Sequence, residues 1–182
     1  MKTIKTTIFF AFLAIMALMP LSAQQFQKGT IGVNLGIGVG TAWSGLGNGR
    51  PAINLSAEYG MADAGPGVIS LGGFVENVGY KYQDGSYTQK WNFTVLGVRG
   101  VYHYNGFTSV PKLDPYAGLM LGYNLVSYKA SGESYMNPNS YGSGMGFAFF
   151  VGSRWFFTNS MGAFAELGYG ASILKAGVAF KF

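Results

Sequence analysis

The stretch that decides the fold is LKAGVAFKF, residues 174–182. Side chains of a β-strand point alternately to its two faces. One face of this strand is therefore apolar throughout, from Leu174 to Phe182. The other face combines Lys175 and Lys181 with glycine and alanine. A strand with this pattern separates an apolar environment from a polar one.

The same alternation recurs along the chain. In residues 29–40, every second residue from Ile31 to Val39 is aliphatic, and those between are glycine or Asn34. The sequence predicts eight strands, at 29–40, 51–60, 68–80, 91–104, 116–128, 143–157, 161–169 and 175–182. Most are near the ~9–11 residues that a tilted strand needs to cross a bilayer, and their number is even, as in bacterial membrane barrels.

Composition separates a membrane barrel from a water-soluble one. Only 10% of the 182 residues are charged, against about 25% in soluble domains. Aromatic residues gather near the predicted strand ends, as in the interfacial girdles of membrane proteins: Tyr59, Tyr80, Trp91, Tyr102, Tyr104, Tyr116, Tyr128, Trp155, Phe157, Tyr169 and Phe182. The predicted fold is all-β, an eight-stranded antiparallel up-and-down transmembrane β-barrel. A soluble lipocalin-like barrel is the alternative, and it would reverse every facing assignment.

The first residues have the features of a secretory signal peptide. Lys2 and Lys5 precede an apolar run at 8–18, and Ser22-Ala23 offers a small residue at the cut. An uncleaved anchor is the alternative, but a spanning helix needs about 20 apolar residues. We expect residues 1–23 to be a signal peptide, removed after Ala23, and residues 24–182 to form the barrel domain. Without Lys2 and Lys5, ten basic and seven acidic residues remain, a balance too weak to indicate nucleic-acid binding.

The end of the chain also resembles a known motif. Lys175, Gly177, Phe180 and Phe182 match the C-terminal insertion signal of Gram-negative outer-membrane barrels. With the eight strands and the aromatic ends, the sequence resembles the small outer-membrane barrel family that includes OmpX, OmpW and the OmpA membrane domain. The resemblance implies export through the periplasm, assembly by the barrel-assembly machinery, contact with outer-membrane lipid as a monomer, and integral localisation in the outer membrane.

Six charged residues fall on the faces predicted to point into the lumen. An eight-stranded barrel is only wide enough for its own side chains, and buried charges need partners. We therefore predict a lumen cluster of ion pairs formed by Glu58, Glu76, Arg99, Arg154, Glu166 and Lys175. A two-residue turn at Gly170-Ala171 would place Glu166 directly opposite Lys175.

The outer connections at 41–50, 81–90 and 129–142 are short, so the sequence does not predict a protruding sheet. With the lumen plugged, the predicted role is structural or surface interaction, with 129–142 as the main contact loop. A narrow porin-like channel is the alternative. The chain has one histidine, His103, interpreted as an interfacial polar residue without a Ser/Asp partner set, and no cysteine. We therefore predict no enzymatic activity, no metal site and no cofactor.

Overall fold

The computed structural model describes residues 25–40, 48–84, 87–131, 142–168 and 172–182. The predicted signal peptide, the predicted turn at Gly170-Ala171 and parts of the predicted loops 41–50, 81–90 and 129–142 lie outside the described residues. Among the described residues, no helix is long and apolar enough to cross a membrane.

Eight antiparallel strands build the structure, in the order that the alternation predicts. They are β1 (Ile31–Val39), β2 (Ala52–Ala64), β3 (Gly67–Asp84), β4 (Tyr87–Tyr104), β5 (Leu113–Ser131), β6 (Gly144–Phe156), β7 (Met161–Gly168) and β8 (Leu174–Lys181). A two-residue segment, Asn48–Gly49, pairs with β3 just before β2 begins.

The sheet closes on itself. Each strand pairs with the next, and β1 pairs with β8 from Gly32↔Lys181 to Val39↔Leu174. The backbones of Ile31 and Phe182 exchange two hydrogen bonds of 2.9 Å. The start of β1 and the end of β8 therefore lie at one end of the barrel, here called the proximal end, and the opposite end is the distal end.

The register of the last hairpin is the predicted one. Glu166 of β7 stands directly opposite Lys175 of β8, and the amide of Gly168 donates to the carbonyl of Ile173 over 2.9 Å. The predicted cross-strand pairing is confirmed, although the turn residues themselves lie outside the described part.

Several strands are longer than predicted. β2 passes through an irregularity between Gly60 and Ala62 and continues to Ala64, so most of the predicted turn at 61–67 is strand. The turn contracts to Gly65-Pro66, where Gly65 takes a φ of 58°. A bulge lets a strand absorb one extra residue without losing its pairing, which a reading based on strict alternation misses.

The largest difference is at the distal end, where three strands extend beyond their neighbours. β3 and β4 remain paired up to Asp84↔Tyr87, and β4 and β5 up to Thr88↔Ser131. By contrast, β2 last pairs with β3 at Asn77, and β6 last pairs with β5 at Asn124. The expectation of no protruding sheet is wrong, because in-register pairing continues through residues that the polar composition marked as loop.

The two faces of the wall have the polarity predicted for a membrane barrel. Leu35, Phe147 and Val178 are 46%, 61% and 42% exposed on the outside. Arg154 and Glu166 are 1% and 2% exposed inside. A soluble lipocalin-like barrel would show the opposite arrangement, so that alternative is wrong.

Four predicted girdle residues are on the inner face instead: Tyr80, Trp91, Tyr116 and Tyr128. Tyr80 shares a face with Glu76, is buried and packs edge-on against Phe93 with ring centroids 5.8 Å apart. Tyr116 is buried in the lumen among the charged residues. Position near a strand end was not enough to assign them, because the alternation of each strand decides which face an aromatic ring occupies.

Small residues of the wall make room for large side chains of nearby strands. Gly36 of β1 and Gly177 of β8 stand opposite each other, and Gly177 in turn pairs with Phe164 of β7. A Cβ atom on Gly36 would lie 2.8 Å from the ring of Phe164. In the same way, a Cβ atom on Gly152 would lie 2.6 Å from the ring of Tyr116. The interior is therefore packed by a few bulky side chains set against glycines.

We expect a charge on the outer wall to destabilise the barrel strongly. Phe149 points outward opposite Leu119, and Phe149→Arg should lower the free energy of unfolding by about 2–4 kcal/mol, as for a cation near the bilayer midplane. The matched control Phe149→Leu should cost less than about 1.5 kcal/mol. Urea titration in phosphatidylcholine vesicles measures both, and equal losses would contradict the lipid-facing assignment.

Candidate functional site

The barrel interior is the candidate site, since all six charged residues predicted to face the lumen are buried there. They come from six different strands: Glu58 (β2), Glu76 (β3), Arg99 (β4), Arg154 (β6), Glu166 (β7) and Lys175 (β8). Closure of the sheet brings their side chains together along the barrel axis. Apart from Glu166 and Lys175, which belong to one hairpin, strands far apart in sequence supply the two halves of these ion pairs.

Glu166 is the centre of this network. Its Oε1 lies 2.9 Å from Nζ of Lys175, and its Oε2 lies 3.0 Å from Nη2 of Arg99. The hydroxyl of Tyr116 donates to the same Oε2 over 3.3 Å. One carboxylate therefore joins two cations and a phenol.

The proximal half of the network is organised by Arg154. Its Nη2 pairs with Glu58, its Nη1 lies 2.8 Å from Oδ2 of Asp114, and its Nε donates to Oδ1 of Asn34 over 2.8 Å. Arg99 joins this half to Glu166, because its Nε faces Oε2 of Glu58 at 3.4 Å. The fork of a guanidinium suits such multiple acceptors better than an ammonium would.

Glu76 marks the distal end of the network. The hydroxyl of Ser172 donates to it, and Nζ of Lys175 lies 4.0 Å from its Oε2. Beyond it, an apolar cluster of Ala52, Val78, Tyr80 and Phe93 fills the interior towards the protruding sheet. The charged layer thus gives way to a hydrophobic layer on the distal side.

His103 corrects the sequence interpretation. It is fully buried, with Nδ1 2.8 Å from Oδ1 of Asp114 and Nε2 3.0 Å from Oγ of Ser70. The expectation of an interfacial residue without a Ser/Asp partner set is wrong. Ser70 lies in β3, as predicted, whereas β5 begins at Leu113, so Asp114 belongs to a strand rather than to the predicted turn at 105–115. The two partners flank β4 on either side.

A serine, a histidine and an aspartate in this order match the arrangement of acyl-transfer triads. All three side chains are buried, however, and Phe26 stacks on the imidazole with ring centroids 3.8 Å apart and planes 6° apart. The carbonyl of Phe26 is held by Nδ2 of Asn105 over 2.8 Å. The aromatic ring therefore occupies the side from which a substrate would have to approach His103.

Packing leaves little free space around the ion pairs. The guanidinium of Arg99 lies 4.2 Å from the ring centroid of Phe150, and that of Arg154 lies 4.8 Å from that of Tyr116. A cavity lined by Glu76, Arg99 and Lys175 among others measures ≈ 10 Å³, about the room of one water probe. Within the described residues, no group of three His, Asp or Glu side chains is arranged to hold a metal ion.

Sequence reasoning missed several members of the network: Phe26, Asn34, Ser70, Asp114, Tyr116 and Ser172. For some of them a signal existed. Placing Arg99 inside also places His103 inside, since both are odd-numbered positions of β4. For Phe26 no such signal was available, because it precedes β1 and enters the barrel from a non-strand segment.

The residues of the predicted insertion signal are divided between the two faces of β8. Lys175 is buried in the ion-pair network, and Gly177 stands opposite Gly36 on the same inner face. Phe180 and Phe182 have the parity of the outward-facing Val178. Recognition of this motif by the assembly machinery stays a prediction.

Known structures share the fold. Ail of Yersinia pestis, in a crystal structure with the heparin analogue sucrose octasulfate, matches with a TM-score of 0.54 at 14% identity, over 86% of this chain and 100% of that one. The N-terminal β-barrel domain of Pseudomonas aeruginosa OprF matches with a TM-score of 0.51 at 18% identity, again over 86% and 100%. No protein-family model and no curated protein sequence matches the chain.

These features together define the class of protein. A closed antiparallel barrel with an apolar outer wall and a charged interior is the architecture of integral outer-membrane proteins. The structural relatives are small eight-stranded members of that class.

Removing the central cation of the proximal half should be costly. In Arg154→Met, Glu58 and Asp114 stay buried without their principal partner, and we expect a loss of about 3–5 kcal/mol in the free energy of unfolding. Lys112→Met, at an exposed proximal position, should change it by no more than about 0.5 kcal/mol. Urea titration in vesicles compares the two, and similar values would contradict a structural role for the network.

The buried triad should be unreactive in the folded protein. We expect a fluorophosphonate probe to leave Ser70 unmodified, because the probe cannot reach a fully buried hydroxyl covered by packed strands. Intact-mass spectrometry of the detergent-folded protein gives the extent of labelling. Modification of the wild type that disappears in Ser70→Ala would overturn this expectation.

Proposed function

We propose that this protein is a non-enzymatic, monomeric outer-membrane barrel with a closed lumen, whose role is structural or lies in interactions at its distal surface. The supporting observation is the continuous chain of ion pairs from Glu76 through Lys175, Glu166, Arg99 and Glu58 to Arg154. This chain of ion pairs spans the lumen, and the cavity beside it measures only ≈ 10 Å³. An ion would have to separate several buried pairs to pass.

Packing at both ends of the network supports the same proposal. Phe26 fills the proximal entrance against His103, and the apolar cluster around Tyr80 and Phe93 fills the distal interior. Hydrophobic layers that exclude water oppose conduction. With the interior filled, the protruding part of β3, β4 and β5 is the surface that the described residues offer to partners at the distal end.

A narrow channel is the second candidate, and one observation favours it. The network is a continuous file of charged groups along the barrel axis, and charged files line many ion paths. The channel hypothesis needs the pairs around Arg99 to open, whereas the closed-lumen proposal needs them to stay formed. The two hypotheses therefore differ in a directly measurable property.

Conductance in planar bilayers tests the proposal. We expect no discrete unit steps from the wild type, because no continuous water path crosses the ion pairs. Arg99→Ala/Glu166→Ala removes one cation and one anion, leaves Arg154 with Glu58 and Lys175 with Glu76, and should produce unit steps. Heat-modifiability on gels verifies folding of both proteins. Stable unit steps from the wild type would overturn the closed-lumen proposal in favour of the channel.

A further inference from the structure

The protruding sheet carries a row of three lysines on its outer face. Lys81 of β3 stands directly opposite Lys90 of β4, and Lys90 stands directly opposite Lys129 of β5. All three are exposed. By alternation, they share the outward face with Val75, Leu96 and other residues of the apolar belt.

This arrangement is electrostatically unfavourable by itself. Like charges directly opposite on neighbouring strands destabilise their pairing. Among the side chains that the structure describes, no carboxylate lies within salt-bridge distance of the three amines. A bound anion would remove the repulsion, so the row indicates an anionic ligand.

Arg50 extends the positive charge towards the membrane. Its amide donates to the carbonyl of Gly79 over 3.0 Å, and its guanidinium donates to the carbonyl and the side chain of Asn77. A Cβ atom on Gly79 would lie only 3.1 Å from Nε of Arg50. The absence of a side chain at Gly79 thus lets the arginine lie flat on the sheet.

These four cations line one cleft of ≈ 670 Å³, together with Trp91, Leu125 and several polar residues. Arg50, Lys81, Lys90 and Lys129 are named here the basic face. A cleft that combines four cations with the exposed aliphatic side chain of Leu125 suits an amphiphilic anion better than a fully hydrated one.

The height of the basic face above the hydrocarbon restricts the ligand. The lysine row is four residues beyond Leu125, an exposed aliphatic residue of the same outer face, about 13 Å along the strands and about 10 Å along the membrane normal at a typical tilt. Arg50 contacts Asn77, which pairs with Thr94 at the level of Leu125 and therefore lies at the edge of the apolar belt. A phospholipid headgroup layer is about 5–7 Å deep, so it would reach Arg50 but not the lysines.

We propose that the basic face binds the phosphorylated sugar headgroup of an outer-leaflet glycolipid. Arg50 contacts anionic groups next to the acyl chains, and the lysine row contacts phosphates carried higher on the sugars. The cations lie on the outer face of the wall, directly above the apolar belt, so a ligand whose acyl chains are anchored in the outer leaflet can reach them. The distal end faces the outside because the longer connections, 40–51 and 132–143, lie there, as in other outer-membrane barrels.

A binding titration tests this site in the full-length folded protein. The protein in phosphatidylcholine nanodiscs is titrated with fluorescently labelled rough lipopolysaccharide that carries a phosphorylated inner core. We expect Lys81→Gln/Lys90→Gln to weaken binding roughly tenfold or more, because two charge-assisted contacts are lost. Lys28→Gln/Lys112→Gln removes the same charge from exposed proximal positions and should bind like the wild type. Equal weakening by both variants would overturn the proposal.

Two further measurements distinguish a phosphate carried by a glycolipid from a soluble anion. Enzymatically dephosphorylated lipopolysaccharide should bind the wild type as weakly as the intact form binds Lys81→Gln/Lys90→Gln, and undiminished binding would overturn the proposal. Sucrose octasulfate and inorganic phosphate are the soluble probes. Stronger binding of either one than of the glycolipid, lost in the same variant, would assign the basic face to a soluble anion instead.

Stability provides a readout that does not depend on the titration. In phosphatidylcholine alone at low salt, Lys90→Gln should raise the urea midpoint, because it removes both like-charge contacts of the row. With phosphorylated lipopolysaccharide present, the wild type should become the more stable protein. A Lys90→Gln variant that is less stable in both lipids would contradict the proposal. None of these measurements depends on conductance, so they test the basic face independently of the closed-lumen proposal.

Discussion

The constraint on which the structure depends is that hydrocarbon provides no hydrogen-bond partners and no solvation for charge. Backbone groups must pair with neighbouring strands until the sheet closes, and every ionised side chain in the spanning region must turn inward. A tilted barrel of eight strands has almost no interior volume. The inward charges therefore meet each other, and their pairing becomes part of the packing of the barrel.

The interior network follows from this constraint and from the strand register. Glu166 meets Lys175 because the hairpin of β7 and β8 sets them opposite each other. Glu58 and Arg154 are far apart in sequence and meet only when β1 and β8 join the two halves of the sheet. Isolated hairpins would leave these charges unpaired, so the network favours the closed state over partly paired sheets.

Much of this arrangement could be predicted from period-two alternation, which assigns a face to almost every residue once one charged position is fixed. Arg99 determines which face of β4 points into the lumen, and Arg154 does the same for β6. In β1, the aliphatic residues all lie on one face, which must therefore be the outer one. Alternation does not specify which inward residues meet, either on neighbouring strands or across the lumen, since that depends on the stagger between strands. For this reason the contacts of His103 with Ser70 and Asp114, and of Phe26 with His103, could not be derived.

Polar composition predicted the ends of the strands less reliably than alternation predicted their faces. Lys81, Lys90 and Lys129 lie in polar stretches that resemble connections, and nothing in their local sequence distinguishes a surface strand in water from a loop. Pairing in register across β3, β4 and β5 makes them strand residues. The bulge near Gly60 had the same effect in β2, because it shifts the alternation by one residue.

The pairing of β1 with β8 also affects the rate at which the barrel folds. Seven of the eight neighbouring strand pairs can form as local hairpins, but the eighth needs the first and last strands of the barrel together. Contacts of such long sequence separation form slowly. An unclosed sheet would expose two unpaired edges to other chains in the periplasm. Until β8 pairs with β1, both edges therefore need to be covered if the chain is to avoid pairing with its neighbours.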